Sequence, residues 1–222
     1  MPLTYVIPDL HGRRDLLDLA LARIEAHAAG AAATLIVLGD YVDKGPDSRG
    51  VIARLRAAMP MPWRTALLKG NHDALMVAAL RGDIAMEDWL TRGGDTALAS
   101  YNNDAAEVPM HDIAWLDGRP LVHADAHRIY VHAGVDPALP LRQQEAMVLL
   151  TKRYGNDDDT GLGARHVVHG HDRRVDGEPL LLQNRSNLDT NAWKTGRLVI
   201  GVFDDEVPGG PVELIEIVGA AA

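Results

Sequence analysis

Five short apolar runs in this chain each end in a small cluster of Asp, His, Asn and Gly. That recurrence restricts the possible fold more than any bulk property. Leu3–Ile7 leads into Asp9-Leu10-His11-Gly12, and Thr34–Leu38 into Gly39-Asp40-Tyr41-Val42-Asp43-Lys44-Gly45. Thr65–Lys69 leads into Gly70-Asn71-His72-Asp73, Ile129–Val131 into His132-Ala133-Gly134, and Val167–Val168 into His169-Gly170-His171-Asp172. Apolar runs of this length between turn residues read as buried strands. Helical periodicity alternates with the first three: Arg14–Ala29, stopped by Gly30, then Val51–Ala58, then Ala74–Leu80. A β-α-β-α-β-α order predicts an α/β fold with helices packed on a sheet. In such folds the residues just past the strand C-termini converge on one crevice.

The pattern lapses over residues 81–128, which are irregular and polar and carry Trp89, Trp115 and the pair Gly93-Gly94. We expect a small helical cap insertion there, within a single domain spanning 1–222. Arg128–His132 returns to strand, Leu141–Leu150 reads as a helix, and Asn156–Gly163 is an acidic loop. His166–His169, Leu180–Gln183, Arg197–Phe203 and Val212–Val218 read as strands, so the last third is β-rich. Gly219–Ala222 reads as a frayed end.

Composition removes several classes of chemistry. There is no cysteine, which excludes disulfides, thiolate metal sites and cysteine nucleophiles. Any metal must then be held by oxygen and imidazole donors. A net charge of -9 argues against broad attraction to nucleic acid or an anionic membrane. No leader-like segment precedes the first strand, and no apolar run reaches the ~18 residues of a membrane span. A cytoplasmic location is expected.

Taken singly, each polar residue has a bland explanation. An Asp after a strand usually caps a helix or turn, and a lone His is usually just hydrogen-bonded. Together, five strand ends delivering Asp9, His11, Asp40, Asn71, His132 and His171 to one place form the donor set of a dinuclear metal site. We assign Asp9, His11 and His171 mainly to one ion and Asn71 and His132 mainly to the other, with Asp40 bridging. His27, His111, His123, His127 and His166 fit structural or surface roles better. His169 is the rival of His171, which is preferred because it follows Gly170, past the strand.

These blocks resemble, in order and interval across nearly the whole chain, the signature blocks of the phosphoprotein phosphatase family of metallophosphoesterases. Trp89-Leu90-Thr91-Arg92-Gly93-Gly94-Asp95-Thr96 with Ser100-Tyr101 resembles the cap motif of its bacterial serine/threonine phosphatase branch. Asn187-Leu188-Asp189-Thr190 and Gly196-Arg197-Leu198 resemble that branch's C-terminal block. The resemblance implies a central β-sandwich flanked by helices and two divalent metals, often manganese, with iron, zinc or nickel as alternatives. It also implies no phosphoenzyme. By position it implies His72 as general acid, Asp43 as its acidic partner, and Arg153 as a phosphate-binding arginine. Three positions depart from the family pattern: Lys44 stands for an arginine, Asp73 for a glutamate and Thr151 for a tryptophan. Lysine binds phosphate as a point charge, without the bidentate grip of arginine.

The expected chemistry is in-line attack on a phosphate monoester by a metal-bridging hydroxide. The metals, Arg153 and Lys44 neutralise the phosphoryl oxygens, and His72 protonates the leaving alkoxide. A phosphoprotein or small phosphoester is the expected substrate, with no nucleic-acid or membrane partner. Dinucleoside polyphosphate hydrolysis is the leading alternative. A non-catalytic phosphoprotein-binding module and a nuclease or cyclic phosphodiesterase are further ones.

Overall fold

The computed structural model describes residues 2–57, 63–155, 157–174 and 176–221. Ala58, Asn156 and Ala222, which the sequence reading placed in a helix end, a loop and the chain end, lie outside the described residues. The first elements are β1 (Leu3–Ile7), α1 (Arg14–Ala28), β2 (Ala33–Val37), α2 (Ser48–Arg56), β3 (Arg64–Leu67) and α3 (Asn71–Arg81). Then come α4 (Met86–Trp89), α5 (Asp95–Ala99), α6 (Met110–Asp117), β4 (Val122–Ala124), β5 (Arg128–Val131) and α7 (Ala146–Thr151). The chain closes with β6 (His166–His169), β7 (Leu180–Leu181), β8 (Arg185–Asn187), α8 (Ala192–Thr195), β9 (Arg197–Asp204) and β10 (Glu213–Val218).

Two mixed five-stranded sheets result, ordered β10-β9-β1-β2-β3 and β4-β5-β6-β8-β7. In the first, β1, β2 and β3 run parallel and β9 and β10 are antiparallel additions. In the second, β5, β6 and β8 run parallel between antiparallel β4 and β7. Each central strand is buried on both faces, so its alternate residues enter different cores. Tyr5, Ile7, Leu35, Val37, Ile200 and Val202 face the layer of α1–α3. Val6, Ile36 and Phe203 face the other way and meet Tyr130, Val168 and Leu188 of the second sheet. Ile129, Val131 and Val167 point outward onto Leu149 of α7.

Several element ends differ from the sequence reading for local reasons. Helix α1 stops at Ala29, itself left-handed at φ 49, one residue before Gly30. Helix α2 starts earlier than expected because Asp47 caps it, accepting from the Gly50 amide. Helix α3 starts at Asn71, so Asn71 and His72 form its first turn rather than a preceding loop. The expected helix Leu141–Leu150 splits into a 3-10 turn, Leu141–Gln143, and α7.

Within residues 81–128 the chain is helical through α4–α6 and then returns to sheet as β4, paired with β5. Trp89, Ala97, Tyr101, Val108, Ile113 and Leu116 of this segment belong to the same core as α1–α3.

Candidate metal centre

The loop after β1 is tied to the loop after β2: the Leu10 and His11 amides both donate to the Asp40 carbonyl, at 3.1 and 2.8 Å. The loop after β3 is tied to the same place by Asp73, whose carboxylate accepts from the amides of Asp40, Tyr41 and Gly70. Close backbone approach explains two glycines here. A Cβ on Gly70 would lie 2.1 Å from Asp40 Oδ1, and one on Gly170 would lie 2.1 Å from Asp9 Oδ1. His11, Asp40, Asp43, Lys44 and His171 all adopt left-handed backbone, at φ 44 to 71. Such residues cost of order 1 kcal/mol or more each and cluster where function requires a fixed side-chain direction.

The six predicted ligands converge. His11 Nε2 lies 3.4 Å from Asp40 Oδ2 and 4.0 Å from Asp9 Oδ2. His132 Nε2 lies 3.5 Å from Asp40 Oδ1 and 2.9 Å from Asn71 Oδ1. The two oxygens of Asp40 therefore face different imidazoles, as a bridging carboxylate requires. Asp9 accepts from the His171 amide at 3.0 Å, and the His132 and His171 rings are 5.0 Å apart. Asp40, His132 and His171 can hold a metal as one group. His11 and Asp40 form another, in which His72 rather than Asp9 is the third member.

The donor chemistry fits a divalent pair. His11 Nδ1 sits 2.9 Å from the Val42 carbonyl and His132 Nδ1 3.1 Å from the Leu38 carbonyl. Each carbonyl accepts a hydrogen bond from Nδ1–H, which leaves Nε2 deprotonated, with a lone pair free to ligate. Burial lowers the pKa of His11 and His132, and burial with His132 nearby brings His171 down to about 3. These imidazoles stay neutral, the form that ligates. Burial, then Asp189 and Asp40, push the Asp9 carboxyl well up. A cation is what such crowded carboxylates lack.

His72 differs from its neighbours. Its Nδ1 is 2.7 Å from Asp43 Oδ2, and the other Asp43 oxygen accepts from Trp89 Nε1 at 2.8 Å. Burial lowers the His72 pKa, but Asp40 and the bond to Asp43 outweigh it and leave the imidazole above its ordinary value. Lys44 reaches His11 Nε2 at 2.9 Å. Arg153 enters from the rim, its side chain 60% exposed and bonded to Asp172 at 3.0 Å. His169, the rival of His171, is absent from the crevice lining; it is fully buried and accepts from Arg185 at 3.1 Å.

Four further residues line the crevice: Arg173, Asp189, Asn191 and Trp193. Asp189 stood within a quoted block, but the strand before it, Arg185-Ser186-Asn187, has no apolar run to announce a strand end. Trp193 carried no signal beyond its proximity to that block.

Two sheets whose strand ends place one carboxylate between two imidazole-bearing groups suit a phosphoesterase domain with a metal centre. Residues 3–174 match the calcineurin-like phosphoesterase family, and the chain belongs to it. That family uses a dinuclear metal centre, and the Asp and His groups above can bind metal. The chain is similar to serine/threonine-protein phosphatase 1 of Salmonella typhimurium, 30% identical over 88% of this chain and 89% of that protein. It is also similar to the symmetrical bis(5'-nucleosyl)-tetraphosphatase of Janthinobacterium sp., 30% identical over 69% of this chain. It spans 57% of that relative's length. A crystal structure described as a putative diadenosine tetraphosphatase shares the fold, with TM-score 0.70, 24% identity and coverage of 98% and 94% of the two chains.

Proposed function

We propose that the chain is a phosphatase acting on phosphoserine and phosphothreonine in proteins. Two divalent ions, manganese first among the choices, would be held by Asp9, His11, Asp40, Asn71, His132 and His171. The metals would supply an acidified water and charge neutralisation at phosphorus. The observation that carries the reading is the His72–Asp43 pair beside the ligand set. Asp43 fixes the tautomer and orientation of His72, leaving Nε2 to donate a proton. An alkoxide leaving group, as from serine, needs that proton; a polyphosphate leaving group needs it far less. Lys44 and Arg153 offer positive charge to the phosphoryl oxygens. The near-complete span of the Salmonella phosphatase supports the same reading. We take residues 81–128 as the insert that tunes substrate preference, through the hold of Trp89 on Asp43.

Hydrolysis of dinucleoside tetraphosphates is the second reading, favoured by the similarity to the Janthinobacterium enzyme. The deciding experiment is turnover of a phosphoserine peptide against diadenosine tetraphosphate, with manganese added. A higher kcat/KM on the peptide is expected. The reverse order would replace the first reading with the second.

A further inference from the structure

Among the described residues, three buried side-chain polar atoms lack any hydrogen-bond partner: Arg128 Nη1, Asn191 Oδ1 and Trp193 Nε1. The last two belong to residues that line the metal crevice. A buried polar group without a partner is costly, and proteins retain one where a ligand supplies the missing bond. The turn that carries both residues is held firmly. Arg13, itself buried, donates to the carbonyls of Ala192 and Trp193, at 3.1 and 3.3 Å, and to that of Ala220 at 2.7 Å. Asn191 is left-handed at φ 57, with its amide bonded to Asp189 at 2.8 Å.

The position of the turn says which part of a substrate it meets. Lys44 Nζ lies 6.0 Å from the Trp193 ring and 2.9 Å from His11 Nε2, and the His11 and His72 rings are 4.8 Å apart. Trp193 therefore stands at the His11–His72 end of the crevice, the end that the proposed proton donor assigns to the leaving group. The indole N–H can only donate, and the Asn191 side-chain carbonyl can only accept. Together they complement a group that presents an acceptor and a donor on the same side, as the backbone C=O and N–H of one extended residue do.

We infer that Trp193 and Asn191 are specificity-determining residues that bind the leaving-group side of the substrate, recognising the backbone amide beside a phosphorylated side chain. The inference rests on the phosphoprotein reading for the identity of that amide. The leaving-group role itself needs only phosphoester hydrolysis.

The test uses Trp193→Phe, which keeps a ring and removes the N–H, and Asn191→Gly, which removes the side chain and suits the left-handed turn. Each is assayed as the manganese-loaded full chain on a phosphoserine peptide and on p-nitrophenyl phosphate, which has no amide. Loss of one hydrogen bond should raise KM for the peptide about three- to tenfold with little change in kcat. KM for p-nitrophenyl phosphate should move by less than about twofold. Inorganic phosphate, which has no leaving group, should inhibit the wild type and both variants alike. Equal rises in KM on both substrates, or weakened inhibition by phosphate, would put the pair against the phosphoryl group and overturn the inference. Unchanged KM on both substrates would overturn it as well. If the wild type turns over diadenosine tetraphosphate and p-nitrophenyl phosphate but no phosphopeptide, the phosphoprotein reading fails by itself. The same KM contrast on that substrate then decides: a rise there alone keeps the leaving-group role, and no rise ends it.

Discussion

His72 and Asn71 are neighbours in the first turn of α3, yet their side chains have different surroundings. Asn71 Oδ1 meets His132, while His72 Nδ1 meets Asp43. The division yields a prediction. His72→Asn should retain both metals and lose rate by about 10²–10⁴-fold on a phosphoserine peptide. The loss should be smaller on p-nitrophenyl phosphate, whose leaving group needs little protonation. Metal analysis and the two rates check it; departure of metal with His72 would put that imidazole in the coordination shell, as its nearness to His11 and Asp40 also permits. At this scale the convergence of the six candidate ligands was legible in the sequence, because a polar residue that follows an apolar run is flagged by the run. Asn191 and Trp193 were not flagged, and Asp189 only as part of the block Asn187-Leu188-Asp189-Thr190. They follow Arg185-Ser186-Asn187, a strand whose burial depends on Arg185 lying over the Tyr154 ring, 4.5 Å away, and donating to carbonyls.

The same limit operates on whole elements. β1 and β6 were readable to the residue because both faces of each strand are buried around an apolar centre, Tyr5-Val6-Ile7 in one and Val167-Val168 in the other. β4 and β8 contain His123, Arg185, Ser186 and Asn187; the first fell within the expected helical cap, and the second was assigned to no element. The helices of 81–128 were expected, but their attachment was not. Aromatic punctuation looks alike whether it caps a separate lobe or fills the main core, and here Trp89 and Tyr101 fill the core. Excising this segment would therefore open the interior, so a point substitution is the better probe. Trp89→Phe keeps most of the volume and removes the bond to Asp43 Oδ1. We expect kcat on the phosphopeptide to fall several-fold, about 1 kcal/mol of lost orientation, with metal content unchanged. A fall in metal content instead would show that α4 supports the ligand set rather than the proton donor.

Across the molecule, the proposed ligand set is shared between the sheets. Asp9, His11, Asp40 and Asn71 follow strands of the first, and His132 and His171 follow strands of the second. Binding that requires both sheets in place stabilises the folded chain by mass action, about 2.7 kcal/mol at a metal concentration a hundred times Kd. For a chain of this size that is roughly 5–10 °C in Tm. Thermal melts with added manganese and with a chelator should separate by about that amount; coincident melts would mean that the folded sandwich gains nothing from the ions.

Phe203 of β9 sits edge-on to Tyr130 of β5, with 6.1 Å between ring centroids and an 88° angle between planes. This contact lies in the core between the sheets, among the residues that hold one against the other. Coordination tolerates only a few tenths of an ångström, far less than a hydrophobic interface does. Ion retention is therefore a gauge of sheet alignment, able to register a shift in a sandwich whose spectra and solubility look intact.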